Sequence, residues 1–260
     1  MTDKKVLIVI KAYPEKSKKY GACVCAAGIT ENGEMIRLYP MPFELFRGGK
    51  NIPKYSWISV DCEHAHEYLN RKESYHIKPD SIRIHNKIET GPNKTWGERN
   101  NLVLPLKSKS IEDLVEQSKN DRTSLGLIRP KELIDLTIDT KGGVDDQENE
   151  IIQDNKNNKA YQETLFGEKR SDLELINYNF RYHFTCENPD CRGHNIMCED
   201  WEMSQAWRKW EKRYSDKATL IEKFRKKFFY DMKNKNLHFF VGTHSRFNTW
   251  LIIGLYYPPL

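Results

Sequence analysis

The chain has 260 residues, enough for one large domain or two modest ones with a sizeable core. Charged residues are 30% and apolar ones 38%, but an aromatic share of 12% supplies bulky core groups, which excludes disorder as the state of most of the chain. The net charge is +5, residues 6–10 are too short for a secretory h-region and residues 250–257 are far below a spanning length, so a cytoplasmic protein without a membrane anchor is expected.

The first ninety residues read as strands. Residues 5–13 form a buried-type run ended by Pro14. Residues 21–30 and 34–39 flank Glu31-Asn32-Gly33, a hairpin turn in which Asn and Gly tolerate positive φ. Residues 57–62, 75–78 and 82–88 continue the pattern, and six short strands suggest a small antiparallel or mixed sheet or a partly closed barrel. A helix follows, with Ser110 as its cap, Asp113 three residues on, and Ile111, Leu114 and Val115 on its apolar side. Residues 133–138 read as another strand. From 141 to 172 the chain has a Gly pair, the acidic run 145–150 and few apolar residues to bury, so a polar linker or long loop is expected. Beyond it come a strand at 178–186, a cysteine cluster, two helices, and two apolar segments, 237–243 and 250–257, that suit central strands. The expectation is an α+β protein: a β-rich part over 1–140 with a helical insert, the linker, and 173–260 carrying a metal knuckle, a basic helical pair and a closing β-hairpin. That hairpin can equally complete the N-terminal sheet.

Six cysteines fall into two groups. Cys23, Cys25 and Cys62 sit in strand segments, and Cys23 and Cys25, on one face of theirs, read as core. Cys186-x4-Cys191-x2-His194-x3-Cys198 places four soft or borderline ligands within thirteen residues, across the turns Asn188-Pro189-Asp190 and Arg192-Gly193. In a chain that keeps its thiols reduced, that spacing points to metal before disulfide, and four Cys and His ligands suit a closed, structural zinc. Drawing all four from one short loop strains the geometry, so His183 or a residue from elsewhere is the alternative to Cys198.

Positive charge is concentrated in residues 203–236, with eleven Lys or Arg against four acids. Asp200 can cap a helix in which Met203, Trp207, Trp210 and Tyr214 recur as an apolar stripe. After Ser215 a second helix carries Leu220, Ile221, Phe224, Phe228 and Met232 on one side. Lys223, Lys226, Tyr230 and Lys233 fall on the other, flanked by Arg225 and Lys227. A solvated face usually mixes signs, whereas this one is nearly all positive, and phosphate contact is its natural use. Lys11 and Arg37, each just ahead of a tyrosine and a proline, are further candidates for pairing a cation with a stacked base.

Within the linker, Gln162, Thr164, Leu165 and Phe166 resemble the short peptide by which bacterial DNA polymerases and repair proteins dock on the sliding clamp. Glu163 departs from the apolar residue frequent at its position. The resemblance covers five residues and implies a clamp or similar protein partner. No phosphate loop, nucleophile elbow or paired-histidine metalloprotease pattern is present. Asp135, Asp139 and Lys141 resemble the acid-x-Lys ending of a restriction-type nuclease site, which would use magnesium, and His244 is a candidate base because imidazole titrates near neutrality. The leading expectation is a DNA- or RNA-binding protein with a structural zinc. A metal-dependent nuclease and a protein-interaction adaptor are the alternatives.

Overall fold

Residues 6–10 alternate their side chains between two cores, and this sets the architecture. In the computed structural model, Val6 and Ile8 enter one apolar cluster while Leu7, Val9 and Ile10 enter another, a bulge between Ile8 and Ile10 placing the last two on the same side. The first strand is therefore buried on both faces. The structure describes residues 1–12, 15–17, 21–42, 45, 51–65, 71–141, 176–244 and 249–260.

Strand β1 (Thr2–Lys11) is followed by β2 (Glu15–Ser17), β3 (Gly21–Thr30), β4 (Met35–Pro42), β5 (Ser56–His64), β6 (Ser74–Ile77) and β7 (Arg83–Lys87). The expected hairpin joins β3 to β4: Gly33 has φ of 80°, and the Thr30 amide donates to the Glu34 carbonyl at 2.9 Å. β1 pairs with both β3 and β5, β4 runs parallel to β6, and β6 pairs with β5. The ring β1-β3-β4-β6-β5 thus closes into a five-stranded barrel, with Val24, Ala26, Ile36, Leu38, Ile58, Val60 and Cys62 filling its interior. Gly28 allows β3 to cross β1 closely, since a Cβ there would lie 2.3 Å from the Leu7 carbonyl oxygen. Pro40 does not turn the chain: the Tyr39–Pro40 peptide is cis and β4 continues to Pro42.

After helix α1 (Gly97–Val103) come β8 (Lys107–Ser108), helix α2 (Ile111–Asp121), β9 (Leu125–Ile128) and β10 (Glu132–Thr140). Beyond 175 lie β11 (Tyr178–Thr185), β12 (His194–Met197), helices α3 (Trp201–Glu211) and α4 (Lys217–Arg225), β13 (His238–Thr243) and β14 (Trp250–Tyr256). The two closing strands pair with each other and, through β13, with β9, giving a sheet in the order β14-β13-β9-β8. They extend strands of residues 107–128 rather than the barrel sheet. β10, β11 and β12 form a third, antiparallel sheet. Thr140 faces Tyr178 and the Lys141 amide donates to the Asn177 carbonyl, so the chain leaves and returns at one edge around residues 142–175. Nearly all of the expected linker lies there, outside the described residues.

The β14-β13-β9-β8 sheet packs on the outside of the barrel, with Leu125, Leu127, Phe240, Leu251 and Ile253 meeting Leu7, Val9, Ala27 and Ile29. A separate core joins the three-stranded sheet to the helices: Phe180, Trp207 and Phe224 lie ring to ring at 4.9–5.4 Å, and Trp207 and Phe224 are fully buried. Asp200 caps α3 by accepting from the Met203 amide at 2.8 Å, as its position before the apolar stripe predicts. The second helix does not run on unbroken. After α4 the chain makes a π-turn over Lys226–Tyr230, then a 3-10 turn over Asp231–Asn234. The wider turn lets adjacent Phe228 and Phe229 both reach the core, and the buried Tyr182 hydroxyl donates to the Phe228 carbonyl at 2.6 Å.

Candidate metal centre and basic face

The cysteine loop is shaped by its turn residues. Asn188 closes a tight turn by accepting, on its side-chain oxygen, the Asp190 amide at 3.0 Å and, on its carbonyl, the Cys191 amide at 3.1 Å. Gly193, with φ of 94°, then reverses the chain so that His194 opens β12 with its ring against Phe184. Three of the expected ligands meet: Cys191 Sγ lies 3.2 Å from His194 Nε2, and the Cys186 amide donates to Cys191 Sγ at 3.2 Å. The fourth member of the group is Glu112, whose Oε1 is 3.3 Å from His194 Nε2. One donor atom from each of Glu112, Cys186, Cys191 and His194 lies within 4.8 Å of the others.

Cys198 is not in this group. It is buried just past the far end of β12, where its backbone bridges to Ile252 and donates to the Phe180 carbonyl. His183 is also elsewhere, opposite Asp135 and Asn195 on β11, with its Nε2 buried and without a hydrogen-bond partner among the described residues.

The donor set fits a borderline-soft divalent ion. Ligand atoms around tetrahedral zinc sit roughly 3.3–3.8 Å apart, given bonds of about 2.0–2.3 Å, so a small inward movement completes the shell. Burial, with Cys191 and Glu112 close by, pushes the Cys186 thiol up to about 12, against the α2 amide of Ile111 that favours its thiolate. Burial also holds the His194 imidazole below its ordinary value, against the pull of Glu112. Glu112 was not legible in the cysteine spacing, because it arrives from the first turn of α2 and only the third dimension brings it near.

The second feature is the basic face. Lys223, Lys226, Lys227, Tyr230 and Lys233 are all exposed, and none of these lysines is ion-paired to a described residue. Lys227 Nζ lies 5.5 Å from the centre of the Trp210 ring, and Lys233 Nζ lies 4.4 Å from that of Phe229. Arg225 is half-buried and already engaged: its guanidinium donates to Asp135 Oδ1 at 2.7 Å and to the Leu136 carbonyl, tying α4 to β10.

Lys11 and Arg37 are buried too. Lys11 Nζ donates to Asn51 Oδ1 at 3.3 Å, and burial with neighbouring Lys54 lowers its pKa to about 8. Arg37 donates to Cys25 Sγ and to the Ser124 carbonyl, both at 3.2 Å, so it joins the barrel to the outer sheet. Neither offers a surface cation, and Tyr13 and Pro14 lie outside the described residues.

The acids do not converge. Asp135 is held below the usual carboxylate range by Arg225 and the Leu136 amide, which together outweigh its burial. Asp139 is exposed further along β10, and among the described residues neither acid joins a group able to hold a metal. Lys141 follows that strand, and His244 closes the β13–β14 connection by donating its amide to the Thr249 carbonyl. Gln162, Leu165 and Phe166 lie outside the described residues. No helix among the described residues is long and apolar enough to cross a membrane.

Residues 2–105 match a family model described as a domain of unknown function (DUF8758), which corresponds to the barrel and α1. No curated protein matches the chain. Residues 107–260 match a second model, which begins at β8 and takes in the metal group, the basic face and both remaining sheets, and the chain belongs to that family, described as a domain of unknown function (DUF8757).

Proposed function

We propose that this protein binds nucleic acid through the basic face of α4 and the turns that follow it, with a structural zinc at the Cys186–Cys191–His194 knuckle. The observation that carries the reading is the row Lys223, Lys226, Lys227 and Lys233 around Tyr230, which is 55% exposed. Lysines with no carboxylate at ion-pair distance among the described residues, beside an exposed aromatic ring, supply both phosphate neutralisation and a stacking surface. The closed five-stranded barrel adds a fold-level analogy, since OB-folds of that architecture bind oligonucleotides and oligosaccharides. Here the β14-β13-β9-β8 sheet covers part of the outer barrel face around β1 and β3. The reduced thiols suit a cytoplasmic setting.

The test is retention of fluorescent single- and double-stranded DNA and RNA at two salt concentrations. Wild type is expected to bind with an affinity that falls with salt. The Lys223→Glu, Lys226→Glu, Lys227→Glu variant loses binding, and neutralising the three sites lowers the salt slope by about 2–3. Absence of binding to every probe at low salt rejects the reading.

A further inference from the structure

We infer that the fourth position of the metal centre is exchangeable, so that a small anionic donor such as a carboxylate replaces Glu112 from the neighbouring cleft; this rests on the zinc reading above. The four donors are not alike. Cys186 is 1% exposed and the His194 side chain 14%, whereas the Glu112 side chain is 45% exposed. Cys186, Cys191 and His194 come from one loop locked by its own turns, while Glu112 comes from a separate helix.

Glu112 also lines an open cleft of about 560 Å³ together with Lys107, Lys109, Asp113, Glu116 and Glu187. An ion there has three inner ligands fixed by the knuckle and one ligand at the solvent boundary. Three protein ligands plus one accessible position is the arrangement that lets zinc take an external ligand. Two thiolates balance a divalent ion, so a monoanion replacing the Glu112 carboxylate preserves the charge of the centre. Lys109 stands at the cleft to receive it, while Lys107 is paired with Glu187 at 2.9 Å.

The experiment loads the full chain with cobalt(II) and titrates it with azide, following the visible d–d bands. Wild type is expected to bind one cobalt and to show a saturable azide-dependent spectral change. Glu112→Ala keeps the thiolate-to-cobalt band and binds azide at least about tenfold more tightly; Glu112→Gln, which preserves side-chain size, moves in the same direction. Cys198→Ser gives the wild-type spectrum. Cobalt spectra indifferent to azide in wild type and both Glu112 variants overturn the exchange while leaving the metal centre standing. Equal azide affinity with and without Glu112 overturns it as well. A wild-type chain that takes up no cobalt overturns the metal reading itself, and this inference with it.

Discussion

At the scale of single residues, the most consequential contact is one that no pattern in the sequence announces. Lys54 Nζ lies 3.3 Å from Asp200 Oδ2, with side chains only 5% and 2% exposed. Asp200 also caps α3 and accepts the Leu255 amide at 3.2 Å, so one carboxylate joins the barrel, a helix and β14. Burial opposes the Lys54 charge, but Asp200 and Glu202 outweigh it and hold the ammonium ionised. Removing one partner strands the other charge in the interior, which costs about 3–5 kcal/mol. Lys54→Met is expected to lower unfolding stability by that amount in urea, with Lys54→Met, Asp200→Asn losing less than the sum of the single changes. A Lys54→Met protein within about 1 kcal/mol of wild type would show that the junction does not depend on this pair. The same scale explains the candidate metal ligands. Cys186, Cys191 and His194 were legible because turn residues at short spacing converge their side chains. Cys198 failed because, four residues past His194 on the same strand face, it lies roughly 13 Å further along the chain and packs in the core.

At the scale of elements, local chemistry read well and non-local pairing did not. The helix α2 cap is an example of the first: Ser110, 1% exposed, accepts the Asp113 amide on its hydroxyl at 3.1 Å, as the Ser-x-x-Asp spacing requires. Ser110→Ala is expected to cost about 1 kcal/mol in thermal or urea unfolding. It also loosens the first turn that delivers Glu112, so cobalt affinity falls alongside stability; a stability loss with unchanged cobalt affinity would separate the cap from the metal centre. The apolar stripes of α3 and α4 were likewise visible in their spacing, though the π-turn was not, since it depends on Phe228 and Phe229 sharing one core. β9 was missed. Its four residues are all buried and too short for a period to show, and its identity as a strand comes from β13, more than a hundred residues later.

At the scale of the whole molecule, the two family matches meet at residues 105–107, but the packing does not divide there. β1 lends one face to the barrel interior and the other to the core shared with β9, β13 and β14. Arg37 reaches Ser124, Arg71 reaches Thr243, Lys54 reaches Asp200, and the Tyr256 hydroxyl donates to Asn100 at 2.5 Å. Each contact joins a residue before 105 to one after 107. A cut at that boundary would bare Leu7, Val9, Ile10, Ala27, Ile29 and Val103, all at 0% exposure. At about 25 cal/mol per Å² of apolar surface, losing that burial removes a large part of the margin by which a domain of this size stays folded. Two outcomes follow. The full chain unfolds in a single transition in urea, with barrel and helical probes coincident, and Phe240→Ala, in the shared core, moves both probes together by about 3–5 kcal/mol. Residues 1–105 expressed alone bind a hydrophobic dye and lack a cooperative transition. Two separate transitions in the full chain, or a fragment as stable as the whole, would mean that each match folds on its own and that the shared face only docks them.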